Sequence, residues 1–130
     1  MSSENQQEIQ YFTTESMKDL PFSEAVRVGN MLYLSGQIGV DSSMKLVPGG
    51  IAAETRHVMA NIKATLERYG SSLNHVIKVT VMLADISEWG EMNNVYVQFF
   101  SKHLPARSTL GANGLAMGAR VEIECIAVLK

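Results

Sequence analysis

Apolar positions along this chain change their period several times, and each change marks an element. In Met31 to Ile38, MLYLSGQI, an apolar run follows the turn-like Val28-Gly29-Asn30, which predicts a strand paired in a hairpin with the short Glu24 to Val28 segment. From Gly50 to Gly70 the residues Ile51, Val58, Met59, Ile62, Leu66 and Tyr69 recur mostly three or four apart, with Glu54, Arg56, Lys63 and Glu67 between them. That spacing predicts an amphipathic helix closed by Gly70. His75 to Ala84 alternates, with Ile77, Val79, Val81 and Leu83 on one face and Lys78, Thr80 and Met82 on the other, as a strand does. Asp85 to His103 sets Trp89, Met92, Tyr96, Phe99 and Phe100 on one helical stripe, which predicts a second helix with Ser87 as its N-cap and Pro105 beyond its end. Arg107 to Asn113 and Arg120 to Leu129 read as the last two strands, joined as a hairpin through the small residues around Gly114 to Gly118. Residues 1–8 are polar and predict a loose tail, leaving 9–130 as a single domain.

The order strands, helix, strand, helix, strands, with its strand-helix-strand crossover, favours a mixed sheet with two helices packed on one face. The strands are nevertheless apolar on both faces, since Ile126 and Val128 alternate with Cys125, Ala127 and Leu129. Two helices cannot cover both sides, so a homo-oligomer buried through its sheets is expected. Composition fits one packed domain, with 46% hydrophobic residues in 130. A formal charge of -2, with scattered rather than clustered lysines and arginines, argues against a nucleic-acid partner. Single Cys125 excludes an internal disulfide and reads as a buried small hydrophobe. The N-terminus has no apolar signal region and carries Ser2 where myristoylation requires glycine, so a cytosolic protein without a membrane partner is expected.

Two residues in the C-terminal strands carry candidate chemistry. The planar fork of Arg107 matches the two oxygens of a carboxylate, and Glu122, between the apolar Val121 and Ile123, is a candidate proton shuttle. Together they suggest hydrolytic chemistry on a small acid. In a hairpin turning near residues 116 and 117, Glu122 pairs near Gly111, a four-residue offset from Arg107 of roughly 13 Å. Arg107 of one subunit then meets Glu122 of a neighbour more readily than its own. Glu124 shares the face of Glu122 and is assigned to structure. Ser35 has no histidine placed to form a triad. His57, His75 and His103 lie far apart, so no metal site is expected.

The segments LPFSEAVRVGNMLYLSGQI, MNNVYVQFF, LPARS and VEIECIA, in this order and spacing, resemble the reactive intermediate deaminase (Rid) family, also called YjgF-like, from about Pro21 to Leu129. The resemblance implies an α+β, chorismate-mutase-like fold, a homotrimer whose sheets form a central barrel, and ligand sites in clefts between subunits. It implies hydrolysis of enamine and imine intermediates of the 2-aminoacrylate and 2-iminopropionate type to 2-keto acids and ammonia, with no cofactor. By the same resemblance, Arg107 holds the substrate carboxylate and Glu122 is the acid/base group, while Ser35, Gly36 and Asn93 line the pocket. Two positions depart from the family pattern: Phe22 stands where a tyrosine follows the proline, and Thr109 where a cysteine follows the arginine by two. Period-two alternation puts Thr109 on the face of Arg107, toward the imine nitrogen. The alternative is a trimeric module that binds 2-keto acids or related metabolites without catalysis, its activity lost through the changes at Phe22 and Thr109.

Overall fold

The computed structural model describes residues 8–130, so the tail expected over residues 1–8 lies, apart from Glu8, outside the described residues. Six strands and two helices follow in the order β1 (Ile9–Phe12), β2 (Ala25–Val28), β3 (Met31–Ile38), α1 (Gly50–Arg68), β4 (Val76–Leu83), α2 (Trp89–Tyr96), β5 (Ala106–Gly111) and β6 (Val121–Val128). They form one sheet in the order β1-β2-β3-β6-β4-β5. The only parallel pair among these strands is β4 with β5, which α2 connects, as expected for a strand-helix-strand crossover.

The expected hairpin between the last two strands does not form. Strand β4 lies between them, pairing parallel with β5 on one side and antiparallel with β6 on the other. The run 112–120 therefore carries the chain across β4 to reach β6, with Gly114 and Gly118 at positive φ where that path turns sharply. Strand β5 is left as a sheet edge.

Helix α1 buries Ile51, Val58, Met59, Ile62 and Leu66, the stripe its periodicity predicts. It ends as Gly70 adopts φ 93° and the Ser71 N–H donates to the Leu66 carbonyl at 2.8 Å, which satisfies a terminal carbonyl that the helix leaves open. The second helix is shorter than predicted: α2 proper is flanked by single 3-10 turns at Ile86–Glu88 and Val97–Phe99. Its lead-in is capped by Asp85, whose carboxylate accepts from the Ser87 N–H at 2.9 Å and the Ser87 hydroxyl at 2.7 Å, so Ser87 is a donor to the cap and not the cap itself.

Both helices share a core with the inward sheet residues Leu32, Leu34, Val79, Val81, Leu83, Val121, Ile123, Cys125 and Ala127. A register shift between Val76 and Lys78 turns Ile77 out to 45% exposure and brings Val76 into the core, which departs from the simple alternation expected of β4. The opposite face carries Tyr33, Met82, Leu110, Ile126 and Val128 beside Lys78, Thr80, Ser108 and Glu124, and no helix covers it.

A buried carboxylate ties the loop before β2 to the end of α1. Glu24, 6% exposed, receives Arg68 Nη1 at 2.8 Å on each oxygen and the Tyr69 hydroxyl at 2.6 Å. Tyr69 in turn stacks on Phe12 of β1, with ring centroids 4.4 Å apart. Glu24→Ala leaves these donors without their acceptor. It is expected to lower unfolding free energy by about 2 to 3 kcal/mol, below the value for a wholly buried pair because Arg68 is partly solvated. Urea denaturation measures this, and a loss below about 0.5 kcal/mol would show the network to be dispensable.

Candidate functional site

The residues singled out from sequence fall into two groups on opposite faces of the sheet. Arg107 and Thr109 pair with Val79 and Val81, whose side chains are in the core, so all four point to the helix-covered face. Because β5 is an edge, its inward side chains meet α2 rather than a further strand. The Arg107 guanidinium carbon lies 4.7 Å from the Tyr96 ring centroid and 5.9 Å from that of Trp89. Trp89, Asn93 and Tyr96 follow at i, i+4 and i+7, so Asn93 shares the helix face that carries the two rings.

This corner is short of hydrogen-bond partners. Asn93 Oδ1, the Tyr96 hydroxyl, Thr109 Oγ1 and Glu88 Oε1 are buried without a partner among the described residues, and all belong to β5, α2 or its lead-in turn. Arg107 has no acidic side chain within salt-bridge range among those residues. Buried polar atoms in folded proteins are nearly always paired, so a cation with several unpaired oxygens marks a place made for something else. Burial pushes the Tyr96 phenol above its ordinary value, with the Arg107 charge partly opposing the shift, so its hydroxyl stays protonated at neutral pH.

Glu122 belongs to the second group. It alternates with the buried Val121 and Ile123 and pairs with Ile38 of β3 and Met82 of β4, which directs it to the uncovered face. The β3–β6 register shifts between Leu34 and Gln37, and within that irregularity Gly36 rests against the Glu122 carboxylate. A Cβ on Gly36 would overlap Glu122 Oε2, so only glycine leaves the carboxylate its room. Glu122 and Gly36 line a cleft of about 610 Å³ whose apolar wall includes Met17, Leu20, Phe22 and Met117. Ser35 is committed elsewhere: its hydroxyl donates to the Ser23 carbonyl at 2.6 Å and its N–H to the Glu24 carbonyl at 3.0 Å, which fixes the segment carrying Phe22.

Desolvation raises the Glu122 carboxyl above the usual glutamate range, and the nearby Glu124 charge adds to the effect. Because the folded state then binds this proton more tightly than the unfolded chain, the stability it contributes is full below the ordinary glutamate value and is lost as pH rises through the raised one. Glu122→Gln cannot titrate, so its stability relative to wild type should improve between about pH 4 and pH 7.5. Denaturant melts at both pH values test this, and a difference that does not change with pH would contradict it.

One chain does not bring the two groups together. Arg107 is level with Val79 and Cys125, whereas Glu122 is level with Met82 and Leu110. Two strand spacings across and three residues along separate them by roughly 14 Å at the Cα atoms, on opposite faces. The offset inferred from a hairpin thus had the wrong cause, although the separation itself is real. Of the helical stripe that periodicity predicts, Tyr96 is buried but Trp89 is 49% exposed, and both rings lie near the Arg107 guanidinium. Their i, i+4, i+7 spacing with Asn93 was the available signal.

Among the described residues no group of three or more His, Cys, Asp or Glu side chains could hold a metal ion, and no helix is long and apolar enough to cross a membrane. Cys125 is buried, and desolvation, followed by the Glu124 charge, pushes its thiol up to about 12, too high to supply a thiolate.

Comparison with known proteins agrees with this architecture. A 2-iminobutanoate/2-iminopropanoate deaminase of Mus musculus is 44% identical over 109 residues, which span 83% of this chain and 81% of that protein. The crystal structure of yeast Mmf1 superimposes with a TM-score of 0.88 at 35% identity, covering 95% of this chain and all of that one. RidA from an Antarctic Psychrobacter superimposes with a TM-score of 0.85 at 39% identity, covering 92% and 99%. The sequence pattern of the family described as Endoribonuclease L-PSP matches residues 14–129, and with these relatives it establishes that the chain belongs to that family, the Rid or YjgF-like proteins.

Proposed function

We propose that this protein hydrolyses 2-imino acids, and their enamine tautomers, to 2-keto acids and ammonia in a site completed by two copies of the chain. The observation that carries the reading is the Arg107 corner: a guanidinium over the Tyr96 ring without an acidic partner among the described residues, with unpartnered buried oxygens on the same strand and on the helix that packs against it. A carboxylate takes the fork of Arg107, which fixes both its position and its tilt. The Asn93 amide carries an acceptor that suits the N–H of an imine and, on its other arm, a donor that suits the carbonyl oxygen of the keto-acid product. The relatives named as 2-iminobutanoate/2-iminopropanoate deaminases favour an imino substrate over the non-catalytic keto-acid module.

Glu122 supplies the proton chemistry. As carboxylate it takes a proton from water while the water oxygen bonds to the imine carbon, and the C=N electron pair moves to nitrogen. As acid it returns a proton to the amine nitrogen of the resulting carbinolamine. The C–N bond then breaks, ammonia leaves, and the remaining hydroxyl proton is released as the keto group forms. An enamine enters the same path after protonation at its terminal carbon. A carboxyl held above the ordinary range by burial suits both halves of this cycle. The protonated imine is already electrophilic, so the residues named here suffice.

The uncovered sheet face supports association of copies through their sheets, in a homotrimer with a shared barrel, since Tyr33, Leu110 and Ile126 present apolar surface there. In such an assembly the edge strand β5 of one copy brings its Arg107 to the Glu122 cleft of the next. The function is tested by generating 2-aminoacrylate with a serine dehydratase and following ammonia release. Acceleration by the protein is expected, and binding of pyruvate without any acceleration would replace the enzyme with the binding module.

A further inference from the structure

The Tyr96 hydroxyl is buried beside Arg107 without a well-formed hydrogen bond among the described residues. The residue is 5% exposed, and its ring packs near Phe100, at a centroid distance of 5.0 Å, and under the Arg107 guanidinium at 4.7 Å. The hydroxyl makes no well-formed hydrogen bond among the described residues, and the Arg107 guanidinium lies close enough to act on it. Leaving a buried hydroxyl unpaired destabilises a fold, and phenylalanine would fill the same space without that cost.

We propose that Tyr96 is a substrate-binding residue, its hydroxyl donating a hydrogen bond to the carboxylate that Arg107 holds. This rests on the imino-acid reading of the site and assigns a further contact within it. A carboxylate offers about four lone-pair directions, of which the arginine fork uses two. The remaining directions suit O–H donors, and the hydroxyls of Tyr96 and Thr109 are both buried and unpaired in this corner. The aromatic ring also lies beneath the guanidinium, so one side chain both supports the clamp and widens it. Contact with the carboxylate is the same in the ground state and the transition state, because the reaction occurs at the neighbouring carbon. Tyr96 therefore acts on binding and not on the chemical step.

Tyr96→Phe tests this, because it keeps the ring, the stacking and the burial and removes only the hydroxyl. We expect KM for 2-iminopropanoate, and the Kd for pyruvate measured by calorimetry as a carrier of the same carboxylate, to rise roughly 10- to 100-fold, as for loss of a hydrogen bond to a charged group. The kcat should stay within a few-fold of wild type, and thermal stability without ligand should be equal or greater. A purely structural tyrosine gives the reverse pattern, a variant that melts earlier with unchanged KM and Kd, and that result would overturn the proposal. If wild type neither releases ammonia nor binds pyruvate, the function itself fails and this contact fails with it. If wild type does both and the variant matches it, only Tyr96 is eliminated.

Discussion

Replacing Glu122 with glutamine is expected to cut kcat for imine hydrolysis by roughly 10²- to 10⁴-fold while changing KM little, the range for losing a general acid/base group. Glutamine keeps the volume and the fit against Gly36, so the loss reports proton transfer and not packing. The residual rate should also lose the limb of its pH profile that belongs to the raised Glu122 carboxyl. A variant that retains more than about a tenth of wild-type kcat would move the acid/base role elsewhere, because one group at the lower bound of this effect already accounts for a hundredfold. The companion variant Gly36→Ala separates position from chemistry: its Cβ would displace the carboxylate and lower activity with residue 122 unchanged.

Arg107→Ala should lower kcat/KM by roughly 30- to 5,000-fold, the equivalent of about 2 to 5 kcal/mol for removing one member of a desolvated charge pair. The effect should fall mainly on KM, and Arg107→Lys should recover little of it. Lysine keeps the charge but loses both the two-pronged fit to a carboxylate and the flat contact with Tyr96 and Trp89. Without bound acid the Arg107→Ala chain should remain folded and associated, since no acidic side chain among the described residues relies on that guanidinium. Size-exclusion chromatography with light scattering checks this. A monomeric or unfolded product would make Arg107 an interface or core residue instead of a clamp.

The fold was legible in the sequence wherever a side-chain period was long and clean. The stripe of α1 from Ile51 to Leu66 and the alternation of β6 appear where periodicity places them. Strand pairing was not legible, because alternation gives the face of a residue but not its neighbours. The small residues between Gly111 and Arg120 look like a hairpin connection, yet pairing β4 with both β5 and β6 satisfies two ladders at once and leaves the short, polar β5 at the edge. Strand β1 escaped notice because its burial is slight and its pairing, to β2, lies far along the chain. Of the candidate site residues, Arg107, Thr109 and Asn93 gather in one corner and Gly36, Phe22 and Glu122 along one cleft. The separation of these two groups within one chain depends on the position of β4, which no local pattern reveals. Tyr96 has the apolar spacing of a core residue, and its second role emerges only once Arg107 is seen above its ring.

Mixing the two disabled chains tests the shared site most directly. Arg107→Ala keeps an intact Glu122 cleft, and Glu122→Gln keeps an intact Arg107 corner. Unfolded together in equal amounts and refolded, they should form mixed assemblies in which about a quarter of the junctions pair one good half with the other. Ammonia release should then recover to about a quarter of the wild-type rate, although each variant refolded alone stays nearly inactive. A mixture no more active than its components, with mixed assemblies verified by mass, would contradict a site built from two copies of the chain.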